Sequence, residues 1–166
     1  MDRASELLVT FFIPCLNEEG NVGRAIDTIM EVMANRREPY EVLVVDDGSA
    51  DGSVAEVLDR GRRDPGLRLE LVRNTAPQGL GHNYFMAARR ANGTHFMMVC
   101  GDAAEPPESL RKILDCLGRA EMVVPYFGSW DARSLLRRAF SRVFVRLVRW
   151  LSGTRLRYYN GPVLHK

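Results

Sequence analysis

The stretch from Glu41 to Ser53 constrains the fold more than any other part of this chain. Val42, Leu43, Val44 and Val45 form an unbroken apolar run. It stops at two adjacent carboxylates, Asp46 and Asp47, followed by the turn formers Gly48, Ser49, Ala50, Asp51 and Gly52. A strand with no polar alternation has both faces covered, as in a parallel sheet between layers of helix. Open α/β sheets bind their ligands at the carboxyl ends of the strands. Two acids at the tip of a buried strand repel each other and lose hydration, so a ligand or cation is expected to satisfy them. A nucleotide is the expected occupant.

The remainder of the chain alternates in the same sense. Leu7 to Ile13 reads as a strand ended by Pro14, and Asn21 to Ala34 as a helix with Val22, Ile26, Ile29 and Met33 on one face. Ser53 to Arg60 begins a second helix, and Leu67 to Val72 is a strand alternating around Arg68 and Glu70. Leu80 to Ala91 reads as helix, His95 to Val99 as strand, Pro107 to Leu117 as a helix with proline in its first turn, and Met122 to Val124 as a short strand. This order predicts an α/β fold with a mostly parallel sheet and helices on both faces. A chain of 166 residues can bury one sizeable core, which predicts a single domain.

Charge divides that domain. Residues 1–128 carry 14 basic and 20 acidic side chains, whereas residues 129–166 carry 9 basic and 1 acidic. A cationic segment on a mildly acidic body predicts an anionic partner. Within the segment, Ala132 to Ser152 has helical periodicity. Leu136, Phe140, Val143, Phe144, Leu147 and Leu151 share one face, and Arg138, Arg142, Arg146 and Arg149 form a stripe on the other. Such a helix suits an anionic membrane surface, and equally a packing role with a solvated basic face. Trp130 lies just before it and Trp150 near its end. No run approaches the roughly 20 apolar residues of a membrane span. Met1 to Glu6 is polar and no secretory signal is visible. Cys15, Cys100 and Cys116 lack metal-ligand spacing, which favours a reducing compartment. The expected location is cytoplasmic, peripheral at the membrane face. Val163 to Lys166 begins an apolar run with no cap behind it, as in a piece of a longer protein.

Four segments fall at strand ends in order: Pro14 to Glu19; Asp46 to Gly52; Asn74 with Gly79 and Gly81; and Gly101-Asp102 before Pro106, Pro107 and Glu108. Asn17 and Glu18 offer an amide and a carboxylate to a base edge or ribose hydroxyl, as do the carboxylates Asp46 and Asp47. Ser49 and Asp51 also read as turn and cap residues for the helix from Ser53. Gly79 and Gly81 permit close backbone approach at a helix start, a place that favours an anion. No Gly-Lys-Ser or Gly-Lys-Thr follows, so this is not a Walker A loop.

Together these segments resemble the family 2 glycosyltransferases of the GT-A fold, in particular the polyprenyl-phosphate mannose synthase branch. The resemblance covers essentially the whole chain. It implies a Rossmann-like GT-A domain, with residues 1–128 as the nucleotide-sugar-binding core and residues 129–166 as a basic, acceptor- and membrane-proximal segment. It implies an inverting hexosyltransferase taking a UDP- or GDP-linked sugar to a polyprenyl phosphate. Pro14, Asn17, Glu18, Asp46, Asp47, Ser49, Gly79 and Gly81 would line the nucleotide. Asp102 would be the catalytic metal position for Mg²⁺ or Mn²⁺, matching the second acid of the family's Asp-x-Asp motif. Cys100 stands at the first position and is a poor ligand for hard cations, so metal dependence is expected to be weak. Glu105 lies nearby and is not expected to be a ligand. Arg133 and Arg138 would contact the lipid phosphate. No nucleic acid is expected as a partner. Three other readings remain open: a non-catalytic nucleotide-sugar-binding module, a transferase acting on a sugar hydroxyl, and a sugar-nucleotide pyrophosphorylase. The last is disfavoured by the absence of a basic glycine-rich loop after the first strand.

Overall fold

A computed structural model of the chain describes residues 8–125, 135–153 and 163–166. The elements run β1 (Val9–Cys15), α1 (Val22–Met33), β2 (Tyr40–Asp46), α2 (Ser53–Arg63), β3 (Leu69–Arg73), α3 (Leu80–Arg90), β4 (His95–Met98), α4 (Pro107–Leu114), β5 (Met122–Val123), α5 (Leu135–Ser152) and β6 (Leu164–His165). They form one six-stranded sheet in the order β3-β2-β1-β4-β6-β5. The first four strands in that order are parallel, and β6 is antiparallel to both of its neighbours. The α/β fold and mostly parallel sheet are as the sequence predicts.

The period of two explains how the sheet is covered. Phe11, Ile13, Val42, Val44 and Met97 point into one core with Ile26 and Ile29 of α1, Val57 of α2 and Leu110 and Ile113 of α4. Phe12, Leu43, Val45 and Phe96 point the other way, against Ala87 and Tyr84 of α3. Both faces of β1 and β2 are therefore dry, which is why neither strand alternates in sequence.

Pro14 does not end β1. The strand runs on to Cys15, with Pro14 opposite Val45. Pairing of β1 with β4 stops at Phe12, whose carbonyl accepts the Val99 N–H at 2.9 Å. Phe12 and Pro14 face the same side of the strand, so the N–H that proline lacks would have pointed where the ladder has already finished.

The terminal apolar run becomes β6, inserted between β4 and β5 with Leu164 only 2% exposed. The Tyr84 hydroxyl and His165 Nε2 share a 2.7 Å hydrogen bond, so His165 helps hold this strand.

The chain divides into two compact units, Met1–Val123 with Leu164–Lys166, and Val124–Val163. In the second unit α5 spans 18 residues. Its Phe140, Val143, Phe144, Leu147, Trp150 and Leu151 are all exposed. Among the described residues no helix is long and apolar enough to cross a membrane. Arg133 lies outside the described residues; Arg138 lies on α5, and its side chain is outside the description.

Candidate active site

The sequence segments singled out above meet at the carboxyl ends of the parallel strands. The loop after β1 and the loop after β2 are stitched together by their own polar groups. The Asn17 N–H donates to Ser49 Oγ at 2.9 Å, the Glu18 N–H to Ser53 Oγ at 2.8 Å and the Glu19 N–H to Asp51 Oδ2 at 3.0 Å. In return the Ala50 N–H donates to Asn17 Oδ1 at 2.9 Å and the Gly52 N–H to Glu19 Oε2 at 3.0 Å. Asn17 takes a left-handed backbone with φ 55°, a conformation asparagine tolerates better than most residues. Asp51 also accepts the Ser53 N–H at 3.0 Å at the start of α2. Ser49, Asp51 and Glu19 thus build a clasp that presents the two loops as one surface.

Asp46 and Asp47 part company in space. Asp46 is 1% exposed; its Oδ1 accepts the Ser49 N–H at 3.1 Å and its Oδ2 faces Arg73 Nε at 3.4 Å. Arg73 is the residue opposite Asp46 in the β2–β3 register. Asp47 turns to the loop before α3. Its Oδ1 accepts from Asn74 Nδ2 at 2.7 Å and from the Gln78 N–H at 2.8 Å, and its Oδ2 accepts the Gly79 N–H at 2.9 Å. Burial works to raise its pKa, but donors from Asn83, Gln78, Asn74 and Gly79 outweigh it and hold the carboxyl down at about 2. Both acids therefore have protein donors, where the sequence predicted that a ligand or cation must satisfy them. The reason is register and loop closure, neither of which is local in sequence. It follows that the Gly79 amide, at the helix start expected to favour an anion, is committed to Asp47, as is the Gln78 amide. Gly79 has φ 85°, and a Cβ on Gly81 would meet nothing within 4 Å, so open space adjoins the first turn of α3.

The turn after β4 closes the site on its other side. A Cβ on Gly101 would lie 2.5 Å from the Pro14 carbonyl oxygen and 3.4 Å from Glu18 Cγ. Only glycine lets this turn press against the tip of β1. Ala103 has φ 52°, and the Ala104 N–H donates to Asp102 Oδ1 at 3.1 Å. The turn brings one donor atom each of Cys100, Asp102 and Glu105 within 4.8 Å of one another. Glu105 Oε2 is buried with no hydrogen-bond partner. Burial, helped by the charge of Asp102, raises the Glu105 pKa, against hydrogen bonds from the Cys100 side chain and the backbone that lower it. Burial first, then the nearby Glu105, Asp102 and Glu18, pushes the Cys100 thiol up to about 12. Two carboxylates, one of them with an orphaned buried oxygen, suit a hard divalent cation. From sequence, Glu105 is not expected to be a ligand, and Arg73 and Asn83 carry no expected role. The strand register would have exposed Arg73, whereas Glu105 depends on the reversal at Ala103.

The glycosyl transferase family 2 model matches residues 10–165. The undecaprenyl-phosphate 4-deoxy-4-formamido-L-arabinose transferase of Pectobacterium carotovorum subsp. carotovorum (strain PC1) is 27% identical over 153 residues, covering 92% of this chain and 46% of that protein. The chain thus spans about half the length of the curated relatives it matches. Among solved structures, the mannosyltransferase PcManGT from Pyrobaculum calidifontis, in complex with GDP-Man and Mn²⁺, superposes with a TM-score of 0.68 at 24% identity, over 95% of this chain and 44% of that one. Glucosyl-3-phosphoglycerate synthase from Mycobacterium tuberculosis, in complex with UDP, gives a TM-score of 0.70 at 16% identity, over 96% of this chain and 57% of that one. The shared architecture is the GT-A fold.

Proposed function

The chain belongs to glycosyl transferase family 2, and from that premise we propose that it moves a sugar from a UDP- or GDP-linked donor to a polyprenyl phosphate at a membrane surface. The observation that carries this reading is the convergence of four loops at one sheet edge. Asp47 bonds the loop before α3, the 17–19 loop is clasped to the 49–53 loop, and Gly101 abuts Pro14. In this reading Pro14, Asn17, Glu18, Asp46, Asp47, Ser49, Gly79 and Gly81 shape the nucleotide pocket, with division of labour. Asp46, Asp47 and Ser49 position loops, and Glu18 offers its carboxylate to base or ribose. The open space beside Gly81 admits the diphosphate close to the start of α3.

Asp102 would hold the Mg²⁺ or Mn²⁺, which in the bound state would neutralise charge growing on the leaving diphosphate. The phosphate acceptor is itself anionic and attacks without a general base, whereas a hydroxyl acceptor would require one. We assign Arg133 and Arg138 to the acceptor phosphate on the strength of the basic segment's charge, residues 129–166 to an acceptor- and membrane-proximal role, and residues 1–128 to nucleotide-sugar binding. That role would make the protein peripheral at the cytoplasmic membrane face. The relatives named for undecaprenyl phosphate support the acceptor class.

Calorimetric titration with UDP- and GDP-sugars, with and without Mn²⁺, tests the donor. One nucleotide series should bind, and Asp46→Ala should weaken it by ~1.5–3 kcal/mol, the range for hydrogen bonds to a charged group. Absence of binding by either series would overturn the reading.

A further inference from the structure

We propose that Glu105 supplies the second carboxylate of a divalent-cation site with Asp102, in the place where Cys100 removes the first acid. The proposal rests on the family reading for the use of a cation, and on this chain's own geometry for the ligand set. Three donor atoms from Cys100, Asp102 and Glu105 already lie within 4.8 Å of one another, before any ion is added. Glu105 Oε2 is buried without a partner, so its oxygen has given up water and gained nothing. A cation bound by Asp102 would provide what that oxygen lacks.

Glu105 is also held in place. The left-handed Ala103 and the Asp102–Ala104 hydrogen bond reverse the chain just before it, and Pro106 and Pro107 begin α4 just after it. Both restraints limit the backbone freedom that a mobile surface glutamate would have. The hard-cation donors of the cluster are its two carboxylates, and Cys100 is a bystander to Mg²⁺ or Mn²⁺. The missing acid is thus supplied five residues beyond the expected position, using the turn to bring it back.

Mn²⁺ binding to the purified, nucleotide-free chain tests this, read by electron paramagnetic resonance of the free ion and by calorimetry. Glu105→Gln and Glu105→Ala should each weaken Mn²⁺ by about tenfold or more, as expected when a site loses one charged ligand. Asp102→Ala should abolish binding. Thermal melts add an independent readout. Glu105→Ala should melt higher than wild type without metal, because the orphaned carboxylate is gone, and should lose the rise in Tm that Mn²⁺ gives the wild type. Equal Mn²⁺ affinity in wild type and both Glu105 variants would overturn the proposal, as would no Mn²⁺ binding by the wild type. Metal-free titration with UDP and GDP separates the two readings. Failure of every variant to bind nucleotide, with Mn²⁺ affinity still dependent on Glu105, would sink the transferase reading and leave the ligand assignment standing.

Discussion

Replacing Asp47 with asparagine is the sharpest perturbation of the donor side, because it changes charge and one donor–acceptor match while keeping shape. The carboxylate serves three donors, Asn74 Nδ2 and the Gln78 N–H on one oxygen and the Gly79 N–H on the other. Asparagine keeps only one oxygen. Its amide nitrogen must face either the Gly79 N–H or the Asn74 and Gln78 donors, and a buried donor left unmatched costs ~1–3 kcal/mol. Linkage gives a second route to the magnitude. The folded carboxyl sits at about 2 against an ordinary 3.8, despite burial, because the surrounding donors favour the charged form. A depressed folded value means the stabilisation is present above about pH 4 and is lost as pH falls through about 2. The full gap corresponds to ~2 kcal/mol at neutral pH; solvent at the rim screens part of it, leaving about 1–2 kcal/mol. Urea unfolding of wild type and Asp47→Asn should differ by about that amount at neutral pH, and by roughly half as much near pH 3. A difference unchanged between the two pH values, or none at neutral pH, would refute the view that Asp47 is a charged anchor for the glycine loop.

Gly101→Ala should destabilise the chain by about 1–3 kcal/mol in the same assay, since its Cβ meets the rigid Pro14 carbonyl at 2.5 Å; wild-type stability would show that the turn is free to move. Cys100→Asp should tighten Mn²⁺ by adding a hard ligand beside Asp102 and Glu105, and calorimetry showing unaltered affinity would mean the motif is misplaced. Changing Arg138, Arg142, Arg146 and Arg149 together to glutamate should abolish co-sedimentation with anionic liposomes at low salt, at ~1 kcal/mol per basic residue. Equal binding to neutral and anionic liposomes, or none by the unaltered protein, would leave α5 without a membrane role.

What could be read from the residues alone was whatever local periodicity and punctuation encode. The dry runs of β1 and β2 announce a parallel sheet because only a two-sided burial tolerates them, and Asp46-Asp47 marks the carboxyl edge of the sheet because β2 ends there. The heptad-like spacing of α5 likewise announces its amphipathic faces, and the exposed Phe140, Val143 and Leu147 agree with it. The tertiary structure decided everything that depends on which distant residue arrives. A two-residue strand such as β6 carries too little pattern to name its partners, so its place between β4 and β5 appears only in space. Pro14 looks like a stop until the β4 pairing is known to have ended at Phe12. Asp46 and Asp47 are neighbours in sequence with the same chemistry, yet one faces Arg73 and the other grips the loop at Gly79, because adjacent residues at a strand end point in opposite directions. Glu105 is an unremarkable acid until Ala103 turns the chain back on itself. Propensity is a property of neighbours in sequence, whereas a binding site is made of neighbours in space, and only the closed fold makes the second set from the first.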